Sequence, residues 1–124
     1  MVYPRTTLAL TVLLAALVGT AGAQEPPPAL DRPVDYDTEV QPLLQKRCLG
    51  CHGEKKQKGK LRLDLLSNLL SGGESGEPAL VRGNSSESHL VKLVAGLDPE
   101  LVMPPRGKRL SAGEIGLLRA WIDQ

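Results

Sequence analysis

Five consecutive residues, Cys48-Leu49-Gly50-Cys51-His52, constrain this chain more than anything else in it. Two thiols separated by two residues and followed at once by an imidazole form the Cys-x-x-Cys-His pattern of covalent haem attachment. The spacing has a chemical reason. Each thiol can form a thioether with one of the two vinyl groups of a haem, and the adjacent imidazole is then held beneath the iron as its proximal ligand. A chain built this way has to wrap a large flat group.

The same residues have other uses. Cys48 and Cys51 can pair as a disulfide with His52 a bystander, which an oxidising compartment favours. Cys48, Cys51, His52 and His89 have the number and kind of ligands that zinc takes, although His52 directly beside Cys51 is poorly placed to reach the same tetrahedral ion. A thioredoxin-like dithiol needs a strand before the pair and a βαβ setting. The sequence offers neither.

Composition narrows the setting. The chain has 124 residues, a formal charge of +1 and no Phe, which fits one small domain and gives no sign of nucleic-acid binding. Residues 1–23 read as a secretion signal: Arg5 in a short basic start, an apolar run from Leu8 to Val18, and small residues ending at Ala21-Gly22-Ala23. The run is short of the roughly 20 residues of a membrane span, so cleavage before Gln24 is expected and membrane association follows only if the signal stays uncleaved. The protein is thus expected to be exported and periplasmic. No Cys follows the signal, so no lipid-modified N-terminus is expected.

Removing 23 of the 124 residues leaves 101, with the charge balanced once Arg5 is gone. A domain of this size buries only about 60–65% of its unfolded surface and is marginal unless something supplements its core. Beyond Gln24 the aromatic residues are Tyr36 and Trp121, whereas 18 are Leu. These are flexible walls suited to a large flat guest.

Residues 24–33 hold Pro26, Pro27, Pro28 and Pro33 and read as an extended spacer ahead of a domain at 34–124. From Val34 to Arg47 the positions of Val40, Leu43 and Leu44 behind Asp37 predict a helix, with Pro42 in its early turns or kinking it. Gly53–Lys60 is a loop, after which Asp64 is expected to cap a short Leu-rich helix stopped by Gly72 and Gly73. Asn84 with Glu87 predicts a third helix whose face is Leu90, Leu93, Val94 and Leu97, ended by Gly96 and Pro99. Ser111 and Glu114 form a capping box for the last helix, Leu110 and Ile115 a hydrophobic staple, and Ile115, Leu118, Trp121 and Ile122 its inner face. No strand alternation or repeat is visible. The expectation is an all-α fold of about four short helices and long loops wrapped around one covalent haem.

A low-spin electron carrier needs a sixth iron ligand, for which the mature chain offers Met103 and His89. Met103 lies in a loop, and Pro104 and Pro105 behind it restrict the backbone that presents its thioether. His89 falls about a quarter turn off the apolar face of its helix and reads as a partly exposed histidine. His/Met ligation by His52 and Met103 makes the site comparatively oxidising. Just after the haem motif, Lys55, Lys56, Lys58, Lys60 and Arg62 face only Glu54, a local positive patch suited to docking an acidic redox partner.

Taken together, Val34-Asp35-Tyr36, Val40, Pro42-Leu43-Leu44, the motif with Gly53, and Gly59-Lys60-Leu61-Arg62-Leu63-Asp64 resemble the cytochrome c domain of planctomycete-type exported proteins, within the class I cytochrome c superfamily. Gly83-Asn84, Ser88, Leu90, Met103-Pro104-Pro105, Leu110, Glu114, Leu118, Trp121 and Ile122 extend the resemblance to Asp123. It implies a class I cytochrome c-like fold, a single haem c with its iron, thioethers at Cys48 and Cys51, and His52 and Met103 as axial ligands; His89 falls at a variable position. Relatives of this kind often continue into further modules, whereas the sequence ends at Gln124. The expected activity is one-electron transfer without bond chemistry, as a free carrier or a haem subunit of a separate oxidoreductase. The alternative is a haem enzyme or ligand sensor with a labile sixth position.

Overall fold

The structure, a computed structural model, describes residue 22 and residues 24–124; the signal expected at 1–23 lies, Gly22 apart, outside the described residues. Pro42 decides how the chain enters the domain. It has no N–H, and its ring crowds the carbonyl four residues back, so an α-helical ladder cannot run unbroken from Val34 to Arg47. The chain instead forms one π-helical turn, Tyr36–Val40, that passes into α1, Gln41–Arg47, with Pro42 in its first turn where a missing donor is harmless. The cap is Asp35 rather than Asp37: Asp35 Oδ1 accepts from Thr38 N at 2.8 Å and from Thr38 Oγ1 at 2.7 Å.

After a 3₁₀ turn at Lys58–Lys60 comes α2, Leu66–Ser71, which starts behind Leu65 and not behind Asp64. Asp64 is engaged elsewhere, taking Arg62 Nε at 3.0 Å and Nη2 at 2.6 Å. Gly72, at φ 80°, ends α2 as expected.

The third helix is shorter than its periodicity predicts. α3 spans His89–Val94 with Ser88, not Asn84, at its start. Asn84 Oδ1 accepts from Glu87 N at 3.2 Å, while Ser88 Oγ donates to Asn84 O and accepts from Val81 N, each at 2.9 Å. These side-chain bonds hold 84–88 in turns by satisfying groups that helix extension would use. Gly96, at φ 70°, closes the other end, so Leu97 lies beyond the helix.

α4, Ala112–Asp123, carries the predicted capping box, with Glu114 N donating to Ser111 Oγ at 3.2 Å and Ser111 N to Glu114 Oε2 at 2.8 Å. Ile115, Leu118 and Ile122 are buried, and Leu110 joins them. Trp121 is half-buried and lies against Tyr36 with ring centroids 5.3 Å apart. α4 thereby packs on the π turn and on α3, and Leu43, Leu44, Leu90 and Val91 complete one core. Among the described residues there are helices and no β-strand, as the sequence predicts.

The Pro-rich segment is extended but is more than a spacer, because it is bound to α4. Arg119 Nη1 donates to the carbonyls of Pro26 at 3.2 Å and Pro27 at 2.6 Å, and Leu30 N donates to Gly116 O at 3.1 Å. A glycine inside a helix ordinarily weakens it by about 1 kcal/mol. At Gly116 the reason is contact: a Cβ would stand 2.7 Å from the Pro28 carbonyl oxygen.

Candidate functional site

The haem motif is wound into a tight turn at the end of α1. Cys48 N donates to Leu44 O at 2.8 Å, and the N–H groups of Cys51 and His52 both donate to Cys48 O, at 3.1 and 2.9 Å. Such a turn leaves no room behind His52: a Cβ at Gly53 would lie 2.6 Å from the Leu49 carbonyl oxygen. The following loop folds back on the motif, with Lys58 N donating to Cys51 O and Leu63 N to His52 O, both at 2.9 Å.

One residue upstream, the motif is fixed to α4. Arg47 donates from Nε at 3.1 Å and Nη2 at 2.8 Å to Glu114 Oε1, so Glu114 serves the capping box and the ion pair together. The Ser111 N–H, and after it the Arg47 guanidinium, hold the Glu114 carboxyl below the usual carboxylate range.

Cys48, Cys51, His52 and Met103 all line one apolar cavity. Its inner part, ≈ 100 Å³, is walled by Leu63, Leu90, Val94 and Leu110; an outer part of ≈ 500 Å³, sharing Cys51, His52, Leu61, Leu93 and Met103, opens toward Lys58. Met103 reaches this wall because its N–H donates to Leu93 O at 3.1 Å, pinning the loop to the end of α3. Before it, Asp98 Oδ1 accepts from Glu100 N and Leu101 N, both at 2.8 Å, which sets the turn.

The residues present fit a haem. His52 Nδ1 is buried with no hydrogen-bond partner, an expensive arrangement for a ring nitrogen unless the site serves a further group. The donors are an imidazole, a thioether and two thiols on apolar walls. Burial pushes the Cys48 thiol up to about 11, against a smaller opposing effect of Arg47, so it is a neutral thiol at pH 7, while Cys51 is exposed. No disulfide joins Cys48 to Cys51 in this structure. Among the described residues no three of His, Cys, Asp and Glu converge as a metal ion would need, so Cys48, Cys51, His52 and His89 do not form the zinc set that the sequence allows.

His89 is the partly exposed histidine that the sequence predicts, with a neighbour that the sequence does not disclose. Its side chain is only 19% exposed, Nδ1 lies 3.0 Å from Glu77 Oε2, and the residue lines both parts of the cavity. The signal was its spacing: Leu93, four residues on, shares a face with it. Arg62, at the end of the positive segment, is paired with Asp64. Lys55, Lys56, Lys58 and Lys60 stay exposed and have no carboxylate partner among the described residues. Lys58 stands at the mouth of the outer part.

Residues 48–107 match the family model described as Planctomycete cytochrome C. No curated protein and no solved structure matches the chain.

Proposed function

The chain carries a planctomycete-type cytochrome c domain, a family that implies haem c and iron, and from that premise we propose that it is an exported mono-haem c-type cytochrome that transfers single electrons. The observation that carries this reading is the convergence of Cys48, Cys51, His52 and Met103 on one apolar cavity. Cys48 and Cys51 would hold the haem as thioethers, and His52 and Met103 would supply the imidazole and thioether ligands to its iron. When bound, the haem supplies a reversible one-electron couple.

The chain's own residues set the conditions for that couple. Leu63, Leu90 and Val94 keep water from the inner wall, and the thioether of Met103 places the potential above that of a bis-imidazole site. The hydrogen bond from Met103 N to Leu93 O ties the ligand loop to the end of α3. Residues 1–23 direct export to the periplasm and are removed, and the domain performs no bond chemistry.

Lys55, Lys56, Lys58 and Lys60 steer a negatively charged redox partner to the open side of the cavity. Their charge is testable with an anionic oxidant. Changing all four to Glu is expected to slow reduction of ferricyanide by the ferrous protein about tenfold or more at low salt, with the difference fading once the screening length falls below about 10 Å. Equal stopped-flow rates at low salt would remove the steering role.

The reading as a whole is tested by the absorption spectrum of the full chain, exported from a host with cytochrome c maturation, before and after acid-acetone extraction. Haem that resists extraction, low-spin bands and a ferric sulfur-to-iron charge-transfer band that Met103→Ala abolishes are expected. A high-spin spectrum would move the protein to the enzyme or sensor class, and a colourless product would end the haem reading.

A further inference from the structure

Met103 is not alone on its wall. His89 and Leu93 stand one helical turn apart on α3, both line the two parts of the cavity, and Met103 is pinned to Leu93 through its backbone N–H. The imidazole and the thioether therefore face the same volume. The imidazole is also prepared as a ligand. The Glu77 carboxylate stands 3.0 Å from Nδ1, on one side of the ring, and Nε2 is the nitrogen left on the other side. A carboxylate behind the far nitrogen fixes the tautomer and raises the basicity of a metal-binding histidine.

We propose that His89, oriented by Glu77, is a second sixth-position ligand held in reserve, which takes the iron when the thioether of Met103 leaves it. The proposal rests on the reading of the cavity as a haem site. Its consequence is that loss of Met103 does not open the iron to small diatomic ligands: the site changes ligand and lowers its potential, since imidazole nitrogen replaces thioether sulfur. Such a chain stays an electron carrier and does not become a sensor. Glu77 acts as a positioning residue, because it touches His89 and not the iron.

The test uses the exported holoprotein, with covalent haem first confirmed by mass. Met103→Ala is expected to lose the sulfur-to-iron band yet remain low-spin, with a potential below that of the unmutated protein. Met103→Ala with His89→Ala is expected to turn high-spin and to bind carbon monoxide in the ferrous state about tenfold or more tightly than Met103→Ala, because a competing internal ligand reduces apparent affinity by the fraction of open sites. Added imidazole should return the double variant to a low-spin spectrum, which shows that its pocket is intact. Glu77→Gln in the Met103→Ala background is expected to strengthen carbon monoxide binding, as the imidazole becomes a weaker ligand. A Met103→Ala protein that is already high-spin and binds carbon monoxide as the double variant does would overturn the reserve role while leaving the haem reading intact. Absence of covalent haem in the unmutated protein would overturn both.

Discussion

Replacing Cys48 and Cys51 together by Ala is expected to yield a protein without covalent haem and without most of its helix. The cavity they border is walled by residues of the core cluster, Leu63, Leu90, Val94 and Leu110, and by the loop that carries Met103. Covering the apolar walls of such a cavity, at about 25 cal/mol per Å², is worth several kcal/mol, a large share of a small domain's stability of about 5–15 kcal/mol. None of the local devices replaces that: α2 and α3 have six residues each, far below the length at which a helix stands alone in water. Far-UV circular dichroism with a thermal melt decides the matter. A cooperative transition from a native helical apoprotein would show that the side chains suffice.

The next largest effect is expected at Glu114. Its carboxylate accepts from Ser111 N and from Arg47, whose side chain is only 14% exposed, so Glu114→Ala removes a cap and leaves a poorly solvated guanidinium unpaired. Loss of a capping interaction costs about 1 kcal/mol, and a charged hydrogen bond about 1.5–3. Partial exposure of the pair keeps the total at about 2–4 kcal/mol, or a fall of about 10–20 °C in Tm for a domain this small. The effect depends on pH with a definite sign. Because the folded-state pKa of Glu114 is depressed, its contribution is complete above the unfolded value near 4.3 and disappears as pH falls through the folded value. The stability difference between the unmutated protein and Glu114→Ala should therefore be constant from about pH 5 to 7 and shrink below about pH 4. A difference that persists undiminished in acid would mean that the carboxylate charge is not what matters.

Glu114 also marks the boundary of what the sequence discloses. Its pairing with Ser111 is readable because the two are three residues apart and follow a capping rule; its pairing with Arg47 joins residues 67 positions apart, for which no local pattern exists. The same division runs through the molecule. The turn around Cys48–His52, the glycine stops of α2 and α3 and the buried face of α4 depend on neighbours in sequence. The start of α3 lies later than the sequence predicts because Asn84 and Glu87 satisfy a capping rule in a turn as well as in a helix. Only Val81, through its bond to Ser88, reveals which one forms. The contact between His89 and Glu77 is invisible in sequence for a related reason: a partly exposed histidine reads the same with or without a carboxylate beside it until the loop bearing Glu77 is placed.

Long-range polar contacts were beyond reach altogether. Ser85 is buried, donates from N at 2.7 Å and Oγ at 2.9 Å to Asp123, and accepts from Arg119 Nε at 3.0 Å. Arg119 then reaches the carbonyls of Pro26 and Pro27. Nothing in a proline run announces that an arginine more than ninety residues later will bind it.

Gln124 adds one more such contact, and it bears on how the domain can be combined with others. Its side-chain amide accepts from Val34 N at 3.0 Å through Oε1 and donates to Arg32 O at 2.8 Å through Nε2, so the chain enters and leaves the domain at one point. A unit hinged in this way can be set into a surface loop of a larger protein without prying the ends of that loop apart, and it can be circularly permuted with a short linker across the same gap.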